Sequence, residues 1–205
     1  MSSQLKVPGR PAQDTDPVGE LVSSGVQGAR PAPWTEAGDL LESAPLYWLT
    51  TVRPDGRPHA TPVVAVWWDL ALHFCVSPDS VKARNLRSNP HCLVTAGRND
   101  MHDGLDLAAE GTAHRLRDHA TVRRLVRVFT AKYGEWPFEA GQHGGEAVVV
   151  KKQSGHRSVV FRVRPTVVHG FRKGGEWTQT RWRLPAPTPP APGTPAPAAT
   201  VRNTR

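Results

Sequence analysis

The chain has 205 residues, a formal net charge of +8, 20 prolines and two cysteines. That length supports one domain with a real core. No apolar leader stands at the N-terminus and no run approaches the roughly 18 apolar residues of a membrane span, so a cytoplasmic protein without membrane contact is expected.

In chain order, residues 1–35 are rich in Gly, Pro, Ser, Gln and Asp without a sustained apolar period and read as a disordered extension. "TEAGDLLESA" (35–44) predicts a short helix capped by Thr35, and "YWLTTV" (47–52) a strand. "RPDGRP" is a turn built on Pro54 and Asp55-Gly56. "HATPVVAVWW" (59–68) predicts a second strand, turned by Asp69-Leu70 into a third, "ALHFCV" (71–76). A short helix in "SPDSVKARNLRSNP" follows, then strands over 91–96 and 105–116. In 118–134 the period changes to a helical stripe of Val122, Leu125, Val126, Phe129 and Tyr133, capped by Asp118 and stopped by Gly134. Residues 135–156 are Gly-rich and give no clear period. "SVVFRVRP" (158–165) returns to period two, with Val159, Phe161 and Val163 inward and Val160, Arg162 and Arg164 outward. "TVVHGF" continues it, and "WTQTRWRL" (177–184) is the last strand. The Pro/Ala/Thr/Gly tail, 185–205, reads as disordered with polyproline II character.

The folded part is therefore 36–184. The extension carries Lys6, Arg10 and Arg30 against Asp14, Asp16 and Glu20, and the tail adds Arg202 and Arg205, which leaves +6 on the folded part. That surplus suits an anionic ligand. The basic residues are scattered and no zinc-finger or RNA-recognition motif is present, so nucleic acid is not expected as a partner. Cys75 and Cys92 sit in apolar runs and read as buried thiols in a reducing compartment.

Seven short strands in mostly hairpin order, with two or three helices, argue for a mainly β fold with some α, an antiparallel barrel or sandwich. The second strand is apolar on both faces, Thr61, Val63, Ala65 and Trp67 on one and Pro62, Val64, Val66 and Trp68 on the other. Both faces are expected to be buried, with a second subunit covering one. Pro62 cannot donate to a ladder, so pairing stops there and backbone groups are left for a ligand.

The nine histidines form no metal-ligand pattern, so no metal site is expected. There is no G-x-S-x-G and no cysteine beside a base. What remains is the start of the helix in 77–86, where free amides favour phosphate or carboxylate. Ser77 and Ser80 add hydroxyls, Lys82 a point charge and Arg84 a planar fork, and Pro78 suits the first helical position if Ser77 caps. A solvated basic helix accounts for the same residues.

The segments "YWLTTVRPDGRPHATPV", "SPDSVKARNLRSNP", "DLAAEGTAHRLRD" and "PTVVHGF…TQTRWRL", in that order over residues 40–184, resemble the pyridoxamine 5'-phosphate oxidase-like family, nearest its flavin/deazaflavin oxidoreductases. The resemblance implies a dimeric antiparallel split β-barrel of the FMN-binding type, with the cofactor, coenzyme F420 or FMN, in a groove at the homodimer interface. It assigns Thr61, Pro62, Val63 and Val64 to the ring, Ser77, Ser80, Lys82 and Asn85 to the phosphate, and Arg181 and Trp182 to an approach from the partner subunit. The basic pair that pyridoxamine phosphate oxidases carry on the second strand is replaced here by Thr61 and Val66, which favours F420 over FMN. The implied activity is hydride transfer between the bound cofactor and a small unsaturated or quinone-like substrate. No catalytic residue is assigned, and Tyr133 and His59 are the side chains able to deliver a proton. The alternative is a barrel that binds a flavin or haem and catalyses nothing.

Overall fold

The computed structural model describes residues 16–98, 100–175 and 177–185. In chain order these form β1 (Gly19–Ser24), α1 (Trp34–Ser43), β2 (Tyr47–Val52), β3 (Pro58–Val63), β4 (Ala65–Trp68), β5 (Ala71–Val76), α2 (Val81–Ser88), β6 (His91–Ala96), β7 (Gly104–Leu116), α3 (His119–Tyr133), β8 (Phe138–His143), β9 (Glu146–Lys151), β10 (Arg157–Lys173) and β11 (Thr178–Arg183). The described residues are mainly antiparallel β with three helices. No helix among the described residues is long and apolar enough to cross a membrane.

The main ladder runs β1-β11-β10-β7-β6-β2-β3, and β5 with its hairpin partner β4 branches off β10. β10 is the hub. Its first half pairs with β5 (Val159↔Val76 to Val163↔Leu72) and its second half with β11 (Val167↔Arg183 to Arg172↔Thr178), while β7 lies along nearly its whole length. The change of partner coincides with a register shift between Pro165 and Val167. Gly111 faces Pro165 at that bend, where a Cβ would come 2.4 Å from the carbonyl oxygen of Arg164. Only glycine lets the two backbones approach so closely.

The expected single strand over 59–68 is two strands separated by Val64. β3 pairs with β2 and β4 pairs with β5, so the hydrogen-bonded sheet is not closed into a barrel. Apart from the covalent chain through Val64, the two ladders are joined through β10, which pairs with both β5 and β7. Extending the β4–β5 register, Ala65↔Phe74, would set Pro62 opposite Ser77. Pairing is expected to stop at Pro62, but Pro62 pairs with Trp48 inside β3, on the side where no proline N–H is required, and the β4–β5 pairing ends at Ala65.

The expectation that both faces of this stretch are buried holds only in part. Val63, Ala65 and Trp67 enter the main core, with Leu49, Leu72, Phe74, Val94, Leu107, Phe161, Val163 and Trp182. Val66 lies in a second core under Val122, Leu125 and Phe129 of α3 and Val149 of β9. This chain's own α3 therefore covers much of the face expected to need a second subunit, and Pro62 and Val64 remain exposed. Val160, expected outward, is buried in the same second core.

The stretch 1–35 is not wholly without structure. Within it, β1 adds to the free edge of β11, and Ala32 donates its backbone N–H to Thr180 Oγ1 at 2.8 Å. The first fifteen residues and residues 186–205 lie outside the described residues, and with them most of the expected tail. The helix expected from Thr35 starts one residue earlier after Pro33, without a side-chain cap. Asp118 caps α3 as expected, accepting from Thr121 N at 2.7 Å, and Gly134 ends it with φ 74°. Residues 135–156, unread in the sequence, contain the β8–β9 hairpin. Both cysteines are free, with thiols pushed up to about 12 by burial.

His73 of β5 gives the fold a pH dependence. Its side chain is buried, and burial, with Arg162 second, pulls the imidazole down to about 3. In the unfolded chain such a ring ionises near pH ~6.5. The folded state then binds fewer protons, so this contribution is fully present above about pH 6.5 and is lost as pH falls toward 3, at up to about 1.4 kcal/mol per pH unit. Urea unfolding at pH 7 and 5 is expected to lose that slope in His73→Leu. An unchanged slope would mean the ring is not held neutral.

Candidate functional site

The break between β3 and β5 makes a slot with one unpaired strand edge. On one side is β3, paired only with β2. On the other, β5 ends at Val76 and the chain turns through Ser77–Ser80 into α2. Thr61, Pro62, Val63 and Val64 lie at the break, Ser77, Ser80 and Lys82 at the end of β5 and the start of α2, and the charge of Lys82 is felt at His59 of β3.

Their capacities differ. Ser80, rather than Ser77, is the N-cap, and it accepts from Ala83 N at 3.3 Å while donating to the Ser77 carbonyl at 2.8 Å. Both roles of its hydroxyl are spent on the turn. Ser77 Oγ accepts from Asp79 N at a long 3.4 Å, which leaves its proton free. The first two amides of α2, Val81 and Lys82, have no partner within the helix. Lys82 is half-buried and pairs with no carboxylate among the described residues. Arg84 instead folds back to donate to the Asp79 carbonyl, and Arg87 to that of Pro78 at 2.8 Å. These two cations brace the turn.

Asn85 is also structural. It is buried and donates to Thr51 Oγ1 at 3.0 Å, and Thr51 in turn donates to the His59 carbonyl at 3.3 Å. This chain of bonds pins α2 to β2 and β3 and sets the width of the slot. Thr61 has a buried hydroxyl with no partner. Such an orphan carries a cost that a ligand atom or water would remove.

His59 enters the site from the geometry. It faces Thr51 across β2–β3, two residues before Thr61 on the same face. Burial first, then the charges of Arg53 and Lys82, hold its imidazole below the usual histidine range. Its Nδ1 is buried and unbonded. Arg53 carries no site motif and was missed. Only the turn that folds it back beside the slot reveals it.

The other proton-donor candidate, Tyr133, is occupied. Its hydroxyl donates to the Ala65 carbonyl at 2.6 Å, and Lys132 Nζ donates to the same oxygen at 3.2 Å and to Tyr47 Oη at 2.7 Å. Burial lowers Lys132 to about 8. The end of α3 thus clamps the chain immediately after the break at Val64.

Arg181 and Trp182 lie elsewhere. Arg181 holds Glu20 of β1 through both Nη2 and Nε, at 2.8 and 3.2 Å. Trp182 has no exposed surface and packs edge-on against Trp34, with centroids 5.8 Å apart. Within one chain, neither residue reaches the slot in this conformation.

Beside the slot runs an exposed apolar strip. Trp48 and Pro62 are directly opposite on β2 and β3, and Leu46 and Val64 extend the same face. Trp48 is 51% exposed and Val64 36%.

The comparisons agree with this architecture. A protein described as an F420 reductase is 22% identical, covering 63% of this chain and 93% of its own, at TM-score 0.48, too loose a likeness to argue from. A conserved hypothetical protein from Mycobacterium tuberculosis is 21% identical over 69% of this chain and 85% of its own, at TM-score 0.55. A haem-binding protein from Mycobacterium smegmatis is 22% identical over 74% of this chain and 58% of its own, at 0.53. At these identities the likeness is one of fold. No curated protein matches. The family model for pyridoxamine 5'-phosphate oxidase matches residues 34–171, from the start of α1 into β10, and on that match the chain belongs to the pyridoxamine 5'-phosphate oxidase family.

Proposed function

We propose that this protein is an oxidoreductase that holds coenzyme F420 or FMN in the slot beside β3 and passes hydride to or from a small unsaturated or quinone-like substrate. One observation carries the reading. The β4–β5 ladder ends at Ala65, the outer edge of β3 stays unpaired, and the turn after β5 leads to a cation with no carboxylate partner among the described residues.

In this reading the Lys82 ammonium, the first amides of α2 and the Ser77 hydroxyl take the phosphate. The Thr61 hydroxyl and the edge of residues 61–64 take the ring. His59, neutral and unbonded at Nδ1, is the group able to exchange a proton there. The cofactor, when bound, supplies the two-electron chemistry. A second copy covers Leu46, Trp48, Pro62 and Val64 and excludes water, and its Arg181 reaches the ligand only after Glu20 lets go. The place of work is the cytoplasm, which suits two free thiols held protonated by burial.

A titration with FMN and, separately, with F420, followed by fluorescence, tests this. F420 is expected to bind more tightly, because Thr61 and Val66 leave the strand without a basic pair for the flavin phosphate. Tighter FMN binding would make the protein a flavin enzyme, and binding of neither would overturn the reading. A second reading, a barrel that holds a ring without turnover, draws on the unbonded Nδ1 of a neutral His59, which suits haem iron. It predicts a haem Soret shift and no oxidation of reduced cofactor by quinones or enones.

A further inference from the structure

We propose that the face of β5 and β10 that bears the second core carries, beyond that core, an oxyanion site built on Arg162 and Arg164, separate from the slot at β3. Alternation along β10 puts both arginines on one face. The register sets His73 of β5 and His114 of β7 directly opposite Arg162, and Thr112 of β7 opposite Arg164.

The pairing at this spot is incomplete. Arg164 Nη2 reaches Asp69 Oδ2 at 3.2 Å, and among the described residues no hydrogen bond or ion pair reaches the Arg162 side chain. The Nε atoms of both arginines are buried and unbonded, as is Nδ1 of His73, a residue 1% exposed. These are three of the ten buried side-chain nitrogens and oxygens without a partner among the described residues, gathered within one patch of two strands. The two guanidiniums also feel each other. After burial, Arg164 is the largest influence disfavouring the charge of Arg162, and Asp69 is the one carboxylate offsetting it. Two cations against one carboxylate leave a net positive charge on half-buried groups.

A buried donor without an acceptor is costly, and a half-buried cation without a counter-charge more so. Water would satisfy an Nε–H but not the charge. A metal ion would add to it. A phosphate-like group answers both needs, because it offers several acceptor oxygens and matches the guanidinium fork. The occupant is thus a small oxyanion, or a substrate bearing a phosphoryl group.

Isothermal calorimetry of the full chain with inorganic phosphate, at constant ionic strength against chloride, tests the site. The Lys82→Ala background removes the cation of the slot, so phosphate binding that persists there is expected to come from Arg162 and Arg164. In that background Arg162→Gln and Arg164→Gln are each expected to weaken phosphate by about tenfold or more. Arg162→Lys keeps the charge and the strand but loses Nε and the fork, and is expected to weaken binding as well even where the glutamine variant folds poorly. In proteins with Lys82 intact, FMN and F420 titrations are expected to stay within about twofold of the parent. Phosphate binding that vanishes with Lys82→Ala alone, or survives both glutamine variants, overturns the site. So does a parallel loss of cofactor affinity, which would assign the guanidiniums to the slot. The phosphate measurement does not depend on cofactor binding, so the proposed redox function can fail while this site stands.

Discussion

Trp182→Ala is expected to cost about 3–5 kcal/mol of folding stability, the range for removing a buried tryptophan. Trp182 is fully buried and lies between Val168 of β10 and Gly19 of β1 in the register. Its ring meets Trp34 at an interplanar angle of 69°, and Trp34 meets Trp67 at 6.4 Å, so three indoles tie α1 to the sheet. The ring also fills the space over Gly170, where a Cβ would come within 2.6 Å of it. Truncation leaves a cavity among groups that cannot collapse onto it without moving two strands. Urea unfolding measures the loss, and Trp182→Phe should recover part of it. A stable Trp182→Ala protein with lost cofactor affinity would reverse this placement and return Trp182 to the ligand, as the family resemblance implies.

Lys82→Ala is expected to weaken cofactor binding by about 1.5–3 kcal/mol, the worth of a hydrogen bond to a charged group. The fold should be indifferent to the change, because Lys82 makes no ion pair among the described residues and the helix start is capped by Ser80. Affinity and stability therefore separate at this position. Fluorescence titration gives the first and the urea midpoint the second. Unchanged affinity in a folded variant would leave α2 as a solvated basic helix. Asn85→Ala should show the opposite pattern, a loss of stability first, because it frees Thr51 and the edge of α2 together.

Much of this architecture can be read from residues whose physics is local. The stripe from Val122 to Tyr133, with Asp118 before it and Gly134 after it, specifies a helix by period and caps alone. The proline suggests an interruption but misplaces it: Pro62 pairs with Trp48 inside β3, and the break falls at Val64. Harder were the features that exist only through a partner. GELVSS is short and mostly exposed, and becomes a strand because β11 offers it a free edge. EAVVVK is one apolar run, and nothing within it says that α3 will cover it. The turn SPDS holds two candidate caps, and the choice of Ser80 over Ser77 decides which hydroxyl is left free. For the slot, residue type points to Ser77 and Lys82, whose side chains the turn leaves partly unspent. Asn85 and Trp182, assigned by the resemblance, are buried within one chain, and a buried amide and a core indole look the same in sequence as exposed ones.

The double partnership of β10 has a consequence for how the chain is made. Strands β5, β7 and β9 all precede it, and only β11 follows. Until residues 157–173 have left the ribosome, the β4–β5 hairpin and the β3-β2-β6-β7 sheet have no strand in common, and each keeps an edge open. Contacts between segments so far apart in the chain also make folding slow. The native state therefore assembles late, around its penultimate strand, and nascent chains ending before Arg157 are expected to depend on chaperones to keep those edges apart.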